Sequence, residues 1–315
     1  MSANVIDGNL LAARLRETID EELRVLRMSS VTPGLATIMV GEAPDATAYE
    51  RHVRRLAESL DYHYVSERLP SDVELADVLA TIGKVNADPR VTGVLVLRPL
   101  PAHLPEAVVN VTVDPRKDIE GQHPENAGLL ALGRPRFVPS TPASCFYLLD
   151  SYARSTGVDP ADFYVGKTLV VVGRSASVGK PAQWLGLERH ATVIAAHSRT
   201  ASSGRLAEAT SQADMLIVAA GKPGLVTGDM VREGVIAVDV GFHTIVDPAT
   251  GSTRFTGDLD FDSVAAKAEA ITPVPGGVGP ITDVWLVGNT LVAAALSARV
   301  EPRFGSIVSA ERARG

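Results

Sequence analysis

Short apolar stretches alternate with helix-length amphipathic stretches along most of this 315-residue sequence. The apolar stretches have the length of strands and are rich in β-branched residues; they cover residues 35–40, 91–97, 168–172, 192–196, 215–220 and 235–240. Apolar residues at helical spacing mark residues 10–26, 47–60 and 284–298. This alternation predicts an α/β protein, in which parallel sheets carry helices on their faces.

The length and a change of character near residues 140–165 predict two domains. We expect residues 1–144 and 283–300 to form the first domain, to which the last helix returns. Residues 145–282 are expected to form a Rossmann-type domain, because strand and helix lengths alternate most regularly there. The polar tail, residues 301–315, is predicted to be mobile.

Composition excludes several classes of function. The net charge of −7 argues against a nucleic-acid or membrane-surface partner. The single cysteine, Cys145, rules out an internal disulfide and suits a cytoplasmic protein. We expect no secretory signal, no apolar stretch as long as a bilayer span, and no metal site, since cysteine and histidine do not cluster at zinc spacing.

Residues 272–282 contain three prolines and three glycines. Proline fixes φ and glycine opens positive φ, so this segment is predicted to be a rigid loop with bare backbone, rather than a helix or strand. A flat ligand could lie against such backbone, and the following helix would present free N–H groups. A tight structural turn is the alternative.

The glycine-containing segment 173–181 follows an apolar strand and opens a predicted helix. That context is typical of a pyrophosphate site, although the spacing is not GxGxxG, and a plain strand–turn–helix joint is the alternative. The next strand ends in Ser198, Arg199 and Thr200, where an NAD-specific fold places a carboxylate. With Arg174 nearby, this pattern favours NADP, whose 2′-phosphate needs cations; a solvated turn is the alternative.

Taken together, these motifs resemble those of the methylenetetrahydrofolate dehydrogenase/cyclohydrolase family, from about residue 6 to residue 298. The markers are Gly41 with Tyr49, Pro99-Leu100-Pro101, Lys117-Asp118-Ile119-Glu120-Gly121, Ser140-Thr141-Pro142, Gly221-Lys222-Pro223-Gly224, Asp239-Val240-Gly241 and the two segments above. The resemblance implies oxidation of 5,10-methylenetetrahydrofolate with NAD(P), then hydrolysis of the methenyl product to 10-formyltetrahydrofolate. It also implies a cleft between the two domains, a homodimer and no metal.

The resemblance also implies site residues. Those expected to bind the folate are Tyr49, Pro99, Leu100, Glu120, Pro275, Gly276, Gly277 and Asp283. Those expected to bind the cofactor, with the four named above, are Thr141, Gly173, Ser175, Ser177, Val178, Ala220, Gly221, Asp239, Gly241 and Thr282. Tyr49 would pack against the aminobenzoate ring, and Glu120 would orient the pterin.

The reacting centre departs from the family pattern at two coupled positions. The family carries a lysine four residues after the tyrosine, held by a glutamine after the second strand; here these positions are Val53 and Leu97. Valine can neither donate, accept nor carry charge. Losing a positioned acid/base group typically removes about 10²–10⁴ in rate. We therefore predict that hydrolysis is weak or lost while oxidation is kept.

Two carboxylates and a histidine complete the departures. Glu120 replaces the pterin-binding aspartate, and Asp283 stands where the family has a small or apolar residue, either facing the site or capping a helix. His52, Arg54 and Arg98 are the nearby cationic groups, and each is more typical of a surface charge than of a substitute for the lysine; His52 is the strongest candidate for a general base among them, because the unperturbed pKa of histidine lies near neutrality. Three alternatives stay open: a fully bifunctional enzyme using His52 or a water chain, a paralogue with another substrate, and a non-catalytic folate- or NADP-binding protein.

Overall fold

A computed structural model describes residues 3–246 and 252–304. Most of the predicted mobile tail, residues 305–315, lies outside the described residues. The strands are β1 (Asn4–Val5), β2 (Gly34–Val40), β3 (His63–Leu69), β4 (Gly93–Val96), β5 (Thr168–Val172), β6 (Thr192–Ala196), β7 (Met215–Val218), β8 (Ile236–Asp239), β9 (His243–Val246), β10 (Thr253–Thr256) and β11 (Ala270–Ile271).

Helices fill most of the remaining chain. They are α1 (Gly8–Met28), α2 (Pro44–Ser59), α3 (Leu75–Ala87), α4 (Glu106–Thr112), α5 (Pro124–Ala131), α6 (Ser140–Ser155), α7 (Pro160–Phe163), α8 (Gly179–Glu188), α9 (Ser198–Ser202), α10 (Leu206–Thr210), α11 (Phe261–Ala265) and α12 (Val278–Ser297). A short 3-10 turn covers Gly228–Met230.

Two parallel sheets organise these elements. One has six strands in the order β1-β11-β8-β7-β5-β6, and the other has three in the order β3-β2-β4. A separate antiparallel hairpin pairs β9 with β10. The predicted α/β class, with a Rossmann-type sheet, is confirmed.

The chain divides into two compact units, which we name by their sheets. Among the described residues, the six-stranded unit contains residues 3–15 and 141–282, and the three-stranded unit contains 16–140 and 283–304. This division differs from the sequence-based boundaries at residues 3–15 and 141–144. The reason is visible at the first strand, where β1 pairs with β11 at the edge of the larger sheet.

Each unit is built on central strands that are buried on both faces. All seven residues of β2, between β3 and β4, are buried, and Val78 and Ile82 of α3 join the same core. In the six-stranded unit every residue of β7 is buried. Strands covered on both sides read as continuous apolar runs, which is why the sequence marks them so clearly.

Helix α12 corrects two sequence-based expectations. It begins at Val278, so the last part of the proline- and glycine-rich segment is helical, with Pro280 in the first turn, where a backbone N–H has no helical partner to lose. It is also long and apolar enough to cross a membrane, contrary to the expected absence of such a stretch. Of the apolar stretch in this helix, 78% is buried within the protein, which is typical of a core helix.

Candidate functional site

One face of α2 in the three-stranded unit carries Tyr49, His52 and Val53, since residues three and four apart share a helix face. The helix start is favoured by Pro44 in the first turn and by Asp45, whose charge suits the positive end of the helix dipole. Tyr49 is partly exposed and the His52 side chain is 46% exposed, whereas Val53 is fully buried. The position at which the resemblance leads us to expect a lysine is therefore fully buried.

Two carboxyl groups lie close enough to Tyr49 to influence its ionisation. Burial is the main cause that raises the pKa of the Tyr49 phenol far above its ordinary value, and the charges of Glu120 and Asp283 raise it further. The phenol is therefore a neutral hydrogen-bond donor. Three predicted site residues from α2, α12 and the segment between α4 and α5 thus come together.

Glu120 is the group of this cluster whose pKa is raised close to neutrality. Burial raises the pKa of its carboxyl to about 7, the charge of Asp118 acts in the same direction, and a hydrogen bond from Ser140 opposes both. The Ser140 hydroxyl donates to Glu120 Oε1. Gly121 follows with φ of 62°, a turn that glycine adopts without strain. Near neutral pH, this carboxyl can exist in either protonation state.

The segment that presents Glu120 is held by residues whose structural role sequence reasoning missed. Asp118 accepts hydrogen bonds from the Gln122 and His123 backbone N–H groups at 3.0 and 2.8 Å. Lys117 Nζ donates to backbone carbonyls, including that of Asn86 at 2.7 Å. Asn289 of α12 donates to the carbonyls of residues 119 and 138, each at 2.8 Å. Of these contacts, only those between Asp118 and the N–H groups four and five residues later join residues that are close in the sequence.

Asp283 forms a pair with His52. His52 Nε2 lies 2.8 Å from Asp283 Oδ2, and the Asp283 side chain is 26% exposed. Burial raises the pKa of the Asp283 carboxyl, while the nearby His52 lowers it. Because α12 begins five residues earlier, at Val278, Asp283 is not at the helix start, so the capping alternative is wrong.

The other cations considered as lysine substitutes have partners elsewhere. Arg54 Nη2 donates to the buried Glu50 carboxylate at 2.9 Å. Arg98 donates to Asn110 Oδ1, and burial lowers the pKa of its guanidinium. His52 is therefore the candidate base on this face.

The segment that follows β4 is largely apolar. Leu97, at the position where the resemblance leads us to expect a glutamine, is 4% exposed, and its N–H donates to the Ile38 carbonyl at 2.9 Å. Leu100 is buried in the core of the three-stranded unit, whereas Pro99 is exposed. Val53 and Leu97 are therefore both buried aliphatic residues.

In the six-stranded unit, two glycines shape the turn between β5 and α8. Gly173 has φ of 148°, and a Cβ there would lie 2.4 Å from the Ala219 carbonyl oxygen. A Cβ on Gly179 would lie 2.4 Å from the Gly173 carbonyl. Any side chain at either position would therefore force strand, turn and helix apart.

The turn itself leaves backbone donors available. The Ser175 hydroxyl accepts from the N–H groups of Val178 and Gly179 at 3.1 and 3.2 Å, so these two donors at the start of α8 are satisfied within the protein. Within the described residues, the N–H groups of residues 174–177, which include Ser177, make no hydrogen bond. The donors for an anion are thus in the turn rather than in the helix.

Two arginines stand at the carboxyl ends of the neighbouring strands β5 and β6. Arg174 and Arg199 are exposed, and their guanidinium groups have no partner among the residues described. His197 Nδ1 accepts from the Arg199 N–H at 3.2 Å, and Thr200 Oγ1 accepts from the His197 N–H at 3.1 Å. This capping box, which the sequence analysis missed, fixes the turn that carries Ser198 and Arg199.

The backbone after β7 is organised by Asp258, which sequence reasoning also missed. Asp258 is fully buried and accepts from the N–H groups of Ala220, Gly221 and Lys222 at 2.6, 2.9 and 2.8 Å. His243 Nε2 lies 2.8 Å from its Oδ1. The N–H groups of Ala220 and Gly221, both expected to bind cofactor, therefore bond within the protein.

Asp239 has a similar role at the end of β8. Its carboxylate accepts from the N–H groups of Gly241, Asp258 and Leu259, each at 2.9 Å. Burial raises the pKa of Asp239 to about 6, and these hydrogen bonds oppose that rise. Contacts of Asp239 and Gly241 with a cofactor stay a prediction.

The proline- and glycine-rich loop lies against the start of α1. The Gly8 N–H donates to the Gly276 carbonyl at 2.8 Å, and Gly276 has φ of 102°. Pro275 and Gly277 flank that residue. Thr282 Oγ1 donates to Ser144 Oγ at 3.2 Å, while Thr141 lies in the first turn of α6. No group of three or more potential metal ligands occurs among the described residues.

Two family models match most of the chain. The model described as the catalytic domain of tetrahydrofolate dehydrogenase/cyclohydrolase matches residues 6–120, and the NAD(P)-binding domain of the same family matches residues 139–298. "Bifunctional protein FolD 3" of Rubrobacter xylanophilus is 59% identical over 294 residues, covering 93% of this chain and 92% of that protein.

Solved structures give the same result. The bifunctional FolD dehydrogenase/cyclohydrolase of Campylobacter jejuni superposes with a TM-score of 0.84 at 35% identity, covering 94% of this chain and 100% of that one. The Trypanosoma brucei enzyme, complexed with NADP cofactor and inhibitor, gives 0.85 at 33% identity, covering 95% and 100%.

Proposed function

Because this chain belongs to the tetrahydrofolate dehydrogenase/cyclohydrolase family, we propose that it oxidises 5,10-methylenetetrahydrofolate to 5,10-methenyltetrahydrofolate with NADP, and that its cyclohydrolase activity is strongly reduced. One observation supports the proposal that the cyclohydrolase activity is reduced. Val53 occupies the lysine position and is completely buried, so no charged group extends from it.

The turn between β5 and α8 fits the phosphates of a dinucleotide. Its unbonded N–H groups at residues 174–177 can donate to an anion, and Gly173 allows close approach of the backbone. Arg174 and Arg199, whose guanidinium groups have no partner within residues 3–246 and 252–304, supply two cations, which suits a 2′-phosphate and not a 2′-hydroxyl. NADP is therefore favoured over NAD.

On the folate side, Tyr49 and Glu120 supply the polar contacts. The ionised Glu120 carboxylate can accept hydrogen bonds from the N–H edge of a pterin, and the neutral Tyr49 phenol can pack against the aminobenzoate ring while donating. NADP, when bound, would supply the hydride acceptor. The role of the protein's own residues is to hold and orient the folate, so the oxidation needs no side chain that transfers a proton.

Hydrolysis makes a different demand, because a water molecule must be activated beside the methenyl carbon. Val53 and Leu97 are both buried and apolar, and neither can accept a proton. A missing acid/base group typically costs about 10²–10⁴ in rate. We therefore expect oxidation to proceed while methenyl product accumulates.

A coupled assay tests both halves. Purified protein is given methylenetetrahydrofolate with NADP or NAD, and reduced cofactor and methenyl product are followed separately by absorbance. The proposal expects NADP reduction with accumulation of methenyl product. If NADP is not reduced, the proposed dehydrogenase activity is wrong. If hydrolysis is as fast as in a lysine-containing relative, the proposed reduction in cyclohydrolase activity is wrong.

Calorimetric titration separates the remaining alternatives. Binding of NADP without tetrahydrofolate indicates another substrate, and binding of both without turnover indicates a binding protein. The homodimer and the cytoplasmic location stay predictions; sedimentation of the purified protein tests the first.

A further inference from the structure

We propose that His52 and Asp283 form a catalytic pair through which this chain hydrolyses methenyltetrahydrofolate at its reduced rate. The inference rests on the proposed function and deepens it, because it names the groups that replace the buried Val53. It is carried by the 2.8 Å contact between His52 Nε2 and Asp283 Oδ2, on the helix face that presents Tyr49.

The contact assigns different roles to the two ring nitrogens. With Asp283 ionised, Nε2–H donates to its carboxylate, which leaves Nδ1 as the basic nitrogen. Within the described part of the chain, Nδ1 has no hydrogen-bond partner. Because the His52 side chain is 46% exposed, water can reach it. A base oriented by a carboxylate is the arrangement that general-base catalysis requires.

The surrounding charges support an imidazolium formed during the reaction. Asp283 of α12 is the carboxylate in direct contact, and both Asp283 and Glu120 lie near enough to raise the pKa of the Tyr49 phenol. On α2 itself, Arg51 and Arg55 each donate from Nε to a backbone carbonyl one helical turn earlier. The Asp283 carboxylate of α12 therefore places negative charge directly against the His52 ring.

Other nearby groups are less suited to the task. The Tyr49 phenol holds its proton too tightly to act as a base, because burial and two carboxylates raise its pKa. Glu120 accepts a hydrogen bond from Ser140, and we assign it to the pterin. His52 is the group that combines exposure, a free nitrogen and an orienting partner.

The hydrolysis balances with these groups alone. A water oxygen bonds to the methenyl carbon, its proton passes to His52 Nδ1, and the electron pair of the C=N⁺ bond returns to nitrogen. The C–N5 bond then breaks, N5 takes the proton held by the imidazolium, and the hydroxyl proton leaves as the formyl carbonyl forms. One water is consumed and one proton is released to solvent.

The test supplies chemically prepared methenyltetrahydrofolate without NADP and follows its decay, so that the result does not depend on the dehydrogenase step. We expect wild type to exceed the buffer rate, His52→Gln to lose about 10²-fold of that excess, and Asp283→Asn to lose roughly tenfold, since an amide cannot stabilise imidazolium. The double variant should be no slower than His52→Gln, because the two residues act as one unit.

Chemical rescue separates catalysis from a structural role. His52→Ala with added imidazole should recover part of the excess rate. Glu58→Gln, an exposed change elsewhere on α2, is the matched control and should match wild type.

Two results would overturn the proposal. One is wild-type decay at the buffer rate at every pH, which leaves the dehydrogenase proposal standing. The other is a His52→Gln protein, folded by circular dichroism, that hydrolyses as fast as wild type. Absent NADP reduction in the separate coupled assay would instead count against the proposed dehydrogenase.

Discussion

The turn between β5 and α8 and the cluster around Tyr49 use opposite means to build a site. In the turn, backbone geometry dominates: Gly173 and Gly179 allow close packing, and the N–H groups of residues 174–177 make no hydrogen bond within the described residues. In the Tyr49 cluster, side chains dominate, and burial raises the pKa values of both Glu120 and Asp283.

This difference bears on how each site responds to substitution. A site made of backbone depends on few side-chain identities. A site made of side chains can change its chemistry through a few substitutions without changing the fold, and we predict such changes at Val53, Leu97 and Asp283. We expect substitutions in the turn to act on folding and cofactor binding together, and substitutions in the cluster to act on individual reactions.

The largest expected effect is that of Gly173→Ala. The new methyl group would lie 2.4 Å from the Ala219 carbonyl oxygen, at a backbone conformation with φ of 148°. Backbone strain and the clash together are worth on the order of 3 kcal/mol. Both the urea midpoint and NADP affinity should therefore fall sharply. Gly83→Ala, at a site with no atom within 4 Å, is the control, and equal behaviour of the two variants would contradict the comparison.

The next effect belongs to the cluster. Val53→Lys together with Leu97→Gln should raise methenyl hydrolysis by about 10²-fold, because it restores a positioned acid/base group with its partner. Val53→Lys alone should chiefly destabilise the protein, since its ammonium would be buried without that partner. Hydrolysis and urea unfolding measured on both variants test this, and no gain in the double variant would show that the site is remodelled beyond these two positions.

The parts predicted well from sequence are those fixed by local patterns. The bounds of β5 and β6 agree with the apolar runs, and the Gly173 turn lies where its glycines indicate. The parts missed depend on contacts between distant residues. Asp258 binds N–H groups 36 to 38 positions away, and His52 meets Asp283 across 231 positions. No periodicity within one segment encodes such pairs, so they required the folded chain.

A smaller effect is expected at the cofactor's 2′-phosphate. Arg199→Ala should weaken NADP about tenfold, which is the loss of one exposed charge-assisted contact, and leave NAD nearly unchanged. Arg205→Ala is the control, because that exposed arginine pairs with Glu208. Titration with both cofactors measures the ratio, and equal weakening of NADP and NAD would remove the basis for the NADP assignment.

A separate measurement, of stability and not of activity, tests whether the Tyr49 cluster stores unfavourable charge. The pKa of Glu120 is about 7 in the folded protein against 4.5 for the free group. Between these values the folded state binds more protons than the unfolded state, so Glu120 destabilises the protein increasingly as pH rises from 4.5 to 7. Glu120→Gln cannot ionise, and should be more stable than wild type at pH 8, by on the order of 1–3 kcal/mol, but not at pH 4.5.

Asp239, with a pKa of about 6, changes the pH dependence of stability equally in both proteins, so its contribution cancels in the difference between them. Urea unfolding at pH 4.5, 6 and 8 measures this, with Glu58→Gln as the exposed control, and a stability difference independent of pH would show that Glu120 is not held in a strained ionised state.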